Sequence, residues 1–487
     1  MRPIPLAATA LLFLACAAPD EPPELVLDLL SVHRTGHEGG AEIAAWDPGS
    51  RRLFVVDSGK SVLRVLDLAD PSAPELEAVH HIEGAGTPNS VAVHSGRIAV
   101  ALSASTVGRP GVVVLLDPDG RETGRIEVGA GPDMLTFTPD GRRLVVACEG
   151  EPDEDYRVDP EGAIAVVELD GGHPASVQLV GLADAPVTGT LHRACPPGTS
   201  LAADLEPEYV AVAPDGRTAY ATLQENDAVA VIDLESLEAT SIHSLGALDH
   251  SVSGQGIDPS DRDGGRHVGT WPARGLFQPD SIVCFESGGV LYLATADEGD
   301  ARDRRGYSEV ERVGKLELDR ERFADRKALR KDDALGRLQV SKAAGDEDGD
   351  GDVDTLHAFG ARTLSIWTVE PFRRVAGSGE RLSLLATDDD RSDEKGPEPE
   401  GLAHGELGGR HWVFVGLERP GGIAVFDVTD PREPRFAGFR RDEDEVGPEG
   451  VLFVRAEDSP DGRPLLVVCS EVSGSVAIYR PRVSGGS

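Results

Sequence analysis

A unit that recurs along the chain constrains the fold more than any other feature. It consists of a proline and an acidic residue, an alternating apolar strand, a glycine-containing turn, a second apolar strand and, in most copies, a glutamate. The clearest copies are GPDMLTFTPDGRRLVVACEGE (131–151) and EPEYVAVAPDGRTAYATLQEN (206–226), where Pro-Asp-Gly indicates a tight turn between strands. Further copies begin at 87, 278, 398 and 447, and one without the proline begins at 39, which gives seven units.

Most units continue into a third apolar strand and a weaker fourth. The third strands are expected at 61–68, 111–118, 163–170, 228–234, 422–428 and 475–480. Four short antiparallel strands per repeat are typical of a β-propeller blade, and the runs lack the 3.6-residue period of a helical solenoid. We therefore predict an all-β fold, a seven-bladed β-propeller.

The two ends of the repeat array predict how the ring closes. The last unit stops after three strands, whereas ELVLDLLSV (24–32) is a strand that belongs to no unit. Pairing the two removes an open sheet edge, so we expect the N-terminal strand to complete the last blade. The predicted propeller spans 24–481, followed by a tail at 482–487.

Long spacings between some units indicate insertions on loops. The largest, 299–360, is a mixed insertion expected in blade five, and its segment LELDRERFADRKALRKDD (316–333) has a composition compatible with a helix.

The N-terminal residues resemble an export signal. A basic start, a short apolar run and small residues around Cys16 fit a lipoprotein signal peptide over 1–16, with Cys16 as the lipidated residue and 17–23 as a short tether. Phe13 departs from the usual aliphatic residue, so a plain cleavable signal remains an alternative. We expect an exported protein, lipid-anchored at the outer membrane, the cell surface or the periplasmic face, that meets the membrane only through this lipid.

The charge of the chain favours cations as partners. Asp and Glu number 85 against 47 Lys and Arg, a net charge of -38, which repels nucleic acid. Solubility in salt is the alternative explanation of this acidity.

The repeat also predicts where carboxylates gather. The chain enters each innermost strand at one face and returns to that face at the end of the second strand. The residues that follow the prolines, or replace that position, form a channel-mouth set: Glu42, Asn89, Asp133, Glu208, Asp280, Glu400 and Glu449. A second-strand set lies close behind it: Glu149, Glu225, Glu298, Glu418 and Glu471, with Asp57 and Ser103 in the first two blades.

So many carboxylates near one axis need cations or arginines between them, and Arg302 and Arg419 are candidate internal partners. The alternative is that each glutamate caps strand-end amides within its own blade. As candidate metal ligands on this face we take Asp133, Glu149, Glu208, Asp280, Glu298, Asp300, Glu400 and Glu449.

A second cation signal is local. The aspartates of DEDGDGDVD match a D-x-D-x-D-G calcium loop with Gly351 at the sharp turn, and the candidate ligands are Asp346, Asp348, Asp350, Asp352 and Asp354. Position twelve is His357 rather than glutamate, so the loop is not an EF-hand. A solvated acidic loop is the alternative. Weaker copies lie at Asp258, Asp261 and Asp263, and at 388–393.

No motif identifies a catalytic group. The chain has no G-x-S-x-G, no P-loop, no CxxC pair and no histidine cluster, so catalytic residues are unknown.

Several long motifs carry a family resemblance. GGAEIAAWDPGSRRLFVVDS, CEGEPDEDYRVDPEG, TLQENDAVAVIDL, FGARTLSIW and GLERPGGIAVFDVTDP resemble the bacterial choice-of-anchor I family, which is similar to the mesenchyme-specific cell-surface glycoproteins of biomineralising animals. The resemblance implies varied anchors among relatives, some of which are labelled alkaline phosphatase.

Two functions follow as expectations. The first is a surface-anchored, calcium-binding propeller that acts as a binding module for mineral, glycan or protein. The second is a calcium-dependent phosphomonoesterase that acts on a phosphorylated small molecule through metals on the acidic face.

Overall fold

The computed structural model describes residues 24–82, 86–386 and 391–484. Cys16 and the segments 1–16 and 17–23 lie outside these residues, as do Asp388 to Asp390.

Within the described residues, seven sheets each contain a row of four neighbouring antiparallel strands, and we call these rows blades 1 to 7. Blade 1 comprises Ala44–Asp47, Arg52–Asp57, Val62–Asp67 and Glu75–His81. Blade 2 comprises Thr87–His94, Arg97–Ser103, Pro110–Leu116 and Glu122–Ala130. Blade 3 comprises Pro132–Phe137, Arg143–Cys148, Ala163–Asp170 and His173–Gly181. Blades 4 and 5 comprise Pro207–Val212, Thr218–Leu223, Ala228–Asp233 and Glu238–Ser244; and Ile282–Ser287, Val290–Asp297, Thr363–Val369 and Phe372–Gly377. Blades 6 and 7 comprise Pro399–Leu407, Arg410–Leu417, Gly422–Asp427 and Arg435–Arg440; and Pro448–Val454, Leu465–Ser470, Ser475–Val483 and Leu25–Arg34.

The blades form a ring. The innermost strands of consecutive blades contact each other, and the innermost strand of blade 7 contacts that of blade 1. The N-terminal strand pairs antiparallel with the last strand, from Leu25 opposite Val483 to Arg34 opposite Ser475. The predicted all-β propeller architecture is therefore confirmed.

The core lies between the blades. Successive side chains of a strand point to opposite faces, and both faces of a blade are covered by neighbours. Each pair of neighbouring blades accordingly shares one buried apolar cluster, as where Ala45 and Phe54 of blade 1 meet Val91 and Ile98 of blade 2. Leu25 and Leu27 of the N-terminal strand belong to the cluster between blades 6 and 7.

The two largest insertions fold together. A five-stranded sheet takes Ala247–Asp249 and Arg274–Leu276 from the loop before blade 5, and His357–Ala358, Gln339–Ser341 and Val310–Arg312 from the insertion within blade 5. This sheet has its own apolar cluster, which includes Val313, Leu335 and Leu338. Within 316–333, whose composition is compatible with a helix, the structure contains one short helix, Arg326–Leu329.

Short elements complete the description. They are the strands Val187–Thr188, Asp303–Arg304 and Tyr307–Ser308, the helix Leu201–Asp204, and single 3-10 turns at Ser58–Lys60, Val313–Lys315 and Gly379–Arg381. Among the described residues, no helix combines the length and apolar character needed to cross a membrane.

Candidate functional site: carboxylates of the acidic face

In the units that contain it, the proline marks the end of the blade where the carboxylates lie. Pro132 lies opposite Cys148 across the first two strands of blade 3, so Asp133 and Glu149 are brought to the same end of the blade. The same pairing joins Pro207 to Leu223 in blade 4 and Pro399 to Leu417 in blade 6. The channel-mouth set and the second-strand set therefore share one face, which we call the acidic face.

The residue before the proline often has a left-handed backbone. This position has φ 56° at Gly131 and 71° at Gly447, but also 43° at Gln278 and 47° at Glu398. Residues other than glycine are strained in this left-handed region of positive φ. The strain at Glu398 is notable because its carboxylate belongs to one of the clusters described below.

The channel-mouth carboxylates form a loose ring of half-buried groups. Burial raises the pKa of Asp133 to about 6, and burial with the nearby Glu471 and Asp133 raises that of Glu42 to about 7, although a hydrogen bond from Ser58 acts against it. Burial and neighbouring carboxylates raise the remaining pKa values well above the ordinary range, at Glu208, Asp280, Glu400 and Glu449. The Oε2 atoms of Glu208, Glu400 and Glu449 are buried without a hydrogen-bond partner in the described structure.

Blades 1 and 2 depart from this pattern. Asn89 takes the place of a carboxylate and donates to the Ser103 hydroxyl at 2.9 Å and to the Pro132 carbonyl at 3.1 Å. Asp57 accepts from Arg64 Nε at 2.6 Å and lies 2.9 Å from His37 Nε2. Asn89 and Asp57 therefore have hydrogen-bond partners within the protein.

One cluster of carboxylates, which we call the first triad, joins blades 3 and 4. Oxygens of Glu149, Glu206 and Glu225 all lie within 4.8 Å of one another. Oxygens that share one calcium ion at about 2.3–2.6 Å lie no more than about 5 Å apart, so these three fit a single ion. Glu225 is 5% exposed, and its Oε2 has no hydrogen-bond partner in the described structure.

The first triad is short of positive charge. Arg302, 3% exposed, donates from Nη2 to Glu206 Oε1 at 3.1 Å and to the carbonyl of Asp204 at 2.8 Å. Burial, followed by Glu225, raises the pKa of Glu206 well above its usual range even against Arg302. Burial, Asp133 and Glu225 do the same to the pKa of Glu149. One guanidinium thus makes direct contact with the triad in the described structure.

A second triad repeats the arrangement between blades 5 and 6. Oxygens of Glu298, Glu398 and Glu418 also lie within 4.8 Å of one another. Lys395 Nζ sits among them, 2.6 Å from Glu298 Oε1, 3.5 Å from Asp300 and 3.8 Å from Glu398. Asp300, a sequence candidate, therefore contributes to an internal ion pair.

Two arginines complete the neutralisation of the second triad. Glu398 accepts from Arg419 Nε at 2.9 Å and from Arg391 Nε at 3.2 Å. Burial acts to raise the pKa of Glu398, but Lys395, Arg391 and Arg419 hold it below the ordinary value. The two triads therefore differ in their occupant: the second contains a lysine ammonium group, and the first has no such group at its centre among the described residues.

The aspartate loop, residues 346–354, is held by hydrogen bonds from its own backbone amides to its carboxylates. Asp346 accepts from the amides of Gly349 at 2.7 Å and Gly351 at 3.1 Å, and Asp354 accepts from the amide of Glu347 at 2.8 Å. Oxygens of Asp346, Asp348 and Asp354 lie within 4.8 Å of one another.

A second group on this loop shares Asp354. It adds Asp352 and, from the preceding segment, Asp319, again with oxygens within 4.8 Å. Burial and then Asp350 and Asp319 raise the pKa of Asp352. Asp350 belongs to neither group and accepts from the Asp352 amide at 3.1 Å.

The weaker aspartate copy is dispersed. Asp258 accepts from the His267 amide at 2.8 Å, Asp261 accepts from Arg337 Nε at 2.6 Å, and Asp263 lies 3.0 Å from His267 Nδ1. Each of these carboxylates has a protein partner, and the three form no compact group in the described structure.

Comparison with known proteins identifies the family. The profile of the choice-of-anchor I domain matches residues 42–431, most of the propeller. The chain belongs to the choice-of-anchor I family. Membership of this family, together with the propeller fold, indicates a surface-associated protein.

Relatives of this choice-of-anchor I protein are distant. Gigasin-3a of Magallana gigas is 28% identical over 195 residues, which cover 32% of this chain and 67% of Gigasin-3a. Among solved structures, a chain of Kuenenia stuttgartiensis hydrazine synthase aligns with a TM-score of 0.51 and 14% identity over 92% of this chain and 97% of that one. The Cps50 (Swd1) β-propeller domain of Myceliophteria thermophila aligns with a TM-score of 0.48 and 9% identity over 93% and 99%. The hydrazine synthase likeness concerns the fold alone.

Sequence reasoning missed Glu206 and Glu398, the residues that complete the two triads. Both precede the proline in E-P-E, so each motif sends its second glutamate to the channel mouth and its first to a triad. The repetition of E-P-E in these two units, against G-P-D, Q-P-D and G-P-E in others, was the available signal.

Proposed function

We propose that this protein is an exported, lipid-anchored propeller whose acidic face binds calcium and serves as a binding module for mineral, glycan or protein. The observation that carries this proposal is the first triad, where three buried or half-buried glutamates converge and one buried oxygen has no partner among the described residues. An unpaired buried carboxylate is costly, and a bound cation removes that cost.

The chemistry of the donors supports calcium over softer metals. The triad and the aspartate loop offer only carboxylate oxygens, the ligands that calcium and magnesium prefer. Calcium accepts irregular geometry and more protein ligands, whereas magnesium demands octahedral geometry and retains water.

A bound ion would serve recognition directly. Calcium takes 6 to 8 oxygen ligands, so about three or more positions beyond a carboxylate triad remain for water or for a ligand's oxygens. Hydroxyls of a glycan, carboxylates of a protein and the anions of a mineral surface all supply such oxygens. The lipid on Cys16 would hold this face at a surface where such ligands occur.

The phosphomonoesterase alternative has one observation in its favour. Arg304 acts on Glu149 electrostatically and is 21% exposed at its side chain, so a guanidinium is available near the first triad. However, Arg304 already pairs with Glu151 and lies 3.8 Å from Glu154, and Arg302 is occupied by Asp204 and Glu206. The geometry therefore favours binding over catalysis.

The pseudo-equivalent triads provide a matched test of the calcium proposal. Calorimetric titration of the purified protein should show saturable binding with a dissociation constant on the order of 0.1–1 mM, typical of extracellular calcium modules. Glu225→Gln should abolish the component due to the first triad. Glu418→Gln, the corresponding change in the triad that holds Lys395, should leave it intact. Equal effects of the two variants, or no calcium binding to the unmodified protein, would overturn the proposal.

Assay of the same preparation on a generic phosphomonoester separates the two functions. The binding function predicts no turnover with or without calcium. Calcium-dependent hydrolysis that Glu225→Gln abolishes would favour the enzyme instead.

A further inference from the structure

A cavity beside blade 6 has a lining rich in arginine. It has a volume of about 330 Å³. It lies between the loop before blade 5, the start of the third strand of blade 5, the loop that precedes the first strand of blade 6 and the loop that follows the second strand of blade 6. Its charged lining residues are Arg266, Arg362, Arg391, Arg419 and Asp258. Four guanidiniums in one cavity contrast with a net charge of -38 for the chain.

Arg362 is the central feature of this cavity. It is 1% exposed, and its guanidinium donates to the carbonyls of Asp258 at 2.9 Å, Ser392 at 2.8 Å and Glu394 at 2.8 Å. Its Nε has no hydrogen-bond partner, and no carboxylate lies within ion-pair distance of it in the described structure. Carbonyl dipoles orient a guanidinium without cancelling its charge. The carboxylates of Asp258, Glu398 and Asp393 act on this charge electrostatically, but from beyond ion-pair distance.

The backbone around Arg362 is arranged to keep the guanidinium in place. Arg362 itself has φ 57°, a strained value for a residue with a side chain. Gly396 packs against the guanidinium so closely that an added Cβ would lie 2.8 Å from Nη1. Backbone strain of this kind persists where the surroundings hold it and is often associated with function.

Two further donors on the lining are available. Ser383 Oγ is buried without a hydrogen-bond partner among the described residues. Arg266 donates from Nη1 to the carbonyls of Leu384, at 2.7 Å, and Ala386, and it makes no ion pair in the described structure. In contrast, Arg391 and Arg419 each form an ion pair with Glu398.

We propose that this cavity binds a small oxyanion-bearing molecule, with Arg362 as the buried positive charge and Arg266 and Ser383 as additional donors. Guanidinium groups match the geometry of carboxylate, phosphate and sulfate oxygens, and charge-assisted hydrogen bonds are about twice as strong as neutral ones. The cavity volume falls at the lower end of the range for small-molecule sites, about 300–1,000 Å³. The site does not depend on calcium binding at the acidic face.

Calorimetric titration of calcium-free protein, prepared on a chelating resin, tests this proposal with phosphate, sulfate and acetate as separate ligands and chloride as a control. We expect saturable binding of at least one oxyanion. The order of the three affinities identifies the class of oxyanion that the site prefers. Arg266→Gln should weaken that binding about tenfold through loss of a charged donor, and Ser383→Ala should weaken it severalfold. Arg455→Gln, at an exposed ion pair elsewhere, should leave it unchanged.

The variant with Asp388, Asp389 and Asp390 replaced by Asn is titrated in parallel, because these acidic residues join two residues of the lining, Ala386 and Arg391. Saturable binding by either protein that responds to Arg266→Gln or Ser383→Ala supports the site. Absence of saturable binding in both proteins, or binding that neither substitution changes, overturns it.

Discussion

Lys395 is the residue that most clearly separates the two triads. Its ammonium group contacts Glu298, Asp300 and Glu398, and Glu398 is fully buried. Burial acts to lower the pKa of Lys395, but these three carboxylates raise it above its ordinary value. The lysine therefore acts as an internal cation at the position that corresponds to the proposed calcium in the first triad.

Lys395→Met should destabilise the protein by about 3–5 kcal/mol, because it leaves buried carboxylates without their partner. Calcium should restore part of that loss by entering the second triad. Chemical denaturation with and without calcium measures both effects.

Lys315→Met is the matched control, since Lys315 forms an exposed pair with Glu311 at 3.0 Å and should change stability by less than about 1 kcal/mol. If Lys395→Met is as stable as this control without calcium, the internal-cation interpretation is wrong.

At this scale the sequence was informative only in part. The proline-acidic motif located Asp133, Glu208, Asp280, Glu400 and Glu449, since residues at or just before the start of a strand lie at one end of its blade. It did not reveal Glu206 and Glu398, because their role depends on contact with the neighbouring blade and, for Glu398, on a left-handed backbone.

The N-terminal strand is the element on which ring closure depends. Leu25 and Leu27 are 2% and 3% exposed in the cluster between blades 6 and 7, whereas Leu29 is 37% exposed. Removal of a buried leucine costs transfer free energy and leaves a cavity.

Leu27→Ala should therefore lower the free energy of unfolding by about 2–5 kcal/mol, and Leu29→Ala in the same strand should lower it much less. Denaturant unfolding followed by circular dichroism compares the two. Equal destabilisation would contradict the described packing of this strand.

The aspartate loop is a second element with a testable role. Its carboxylates repel one another, and a cation bound only by the folded loop stabilises it by mass action. Removal of calcium should make residues 333–360 more sensitive to protease, and Asp348→Asn with Asp350→Asn should reduce the difference between calcium and chelator.

Mass spectrometry of the cleavage products checks this prediction, with the cleavage of sites outside the loop as the internal control. Identical cleavage patterns with calcium and with chelator would show that the loop is only a solvated acidic segment.

Elements within the repeat were predictable, and those in the insertions were not. The predicted third strands at 163–170 and 422–428 match Ala163–Asp170 and Gly422–Asp427 closely, because alternation and turn residues encode them locally. The sheet shared by the two insertions joins segments that are separated in sequence: Arg274 and Gly275 pair in parallel with His357 and Ala358. No local pattern predicts such a pairing.

In the whole molecule, the carboxylates of the repeats gather at one face. Neighbouring blades share an apolar cluster along the body of the strands, so the carboxylates of the repeats accumulate at the strand ends. Their mutual repulsion and burial raise pKa values around the ring, and two triads gather more of them between blades. Carboxylates gathered in this way repel one another, and cations placed among them reduce that repulsion.

Calcium-soaked crystals, measured at a wavelength where calcium scatters anomalously, show directly whether the first triad holds calcium. We expect an anomalous peak bounded by Glu149, Glu206 and Glu225 and another at Asp346, Asp348 and Asp354, with none at the second triad, where Lys395 lies. Absence of a peak at the first triad at calcium concentrations well above 1 mM, the weak end of the expected range, would contradict this expectation.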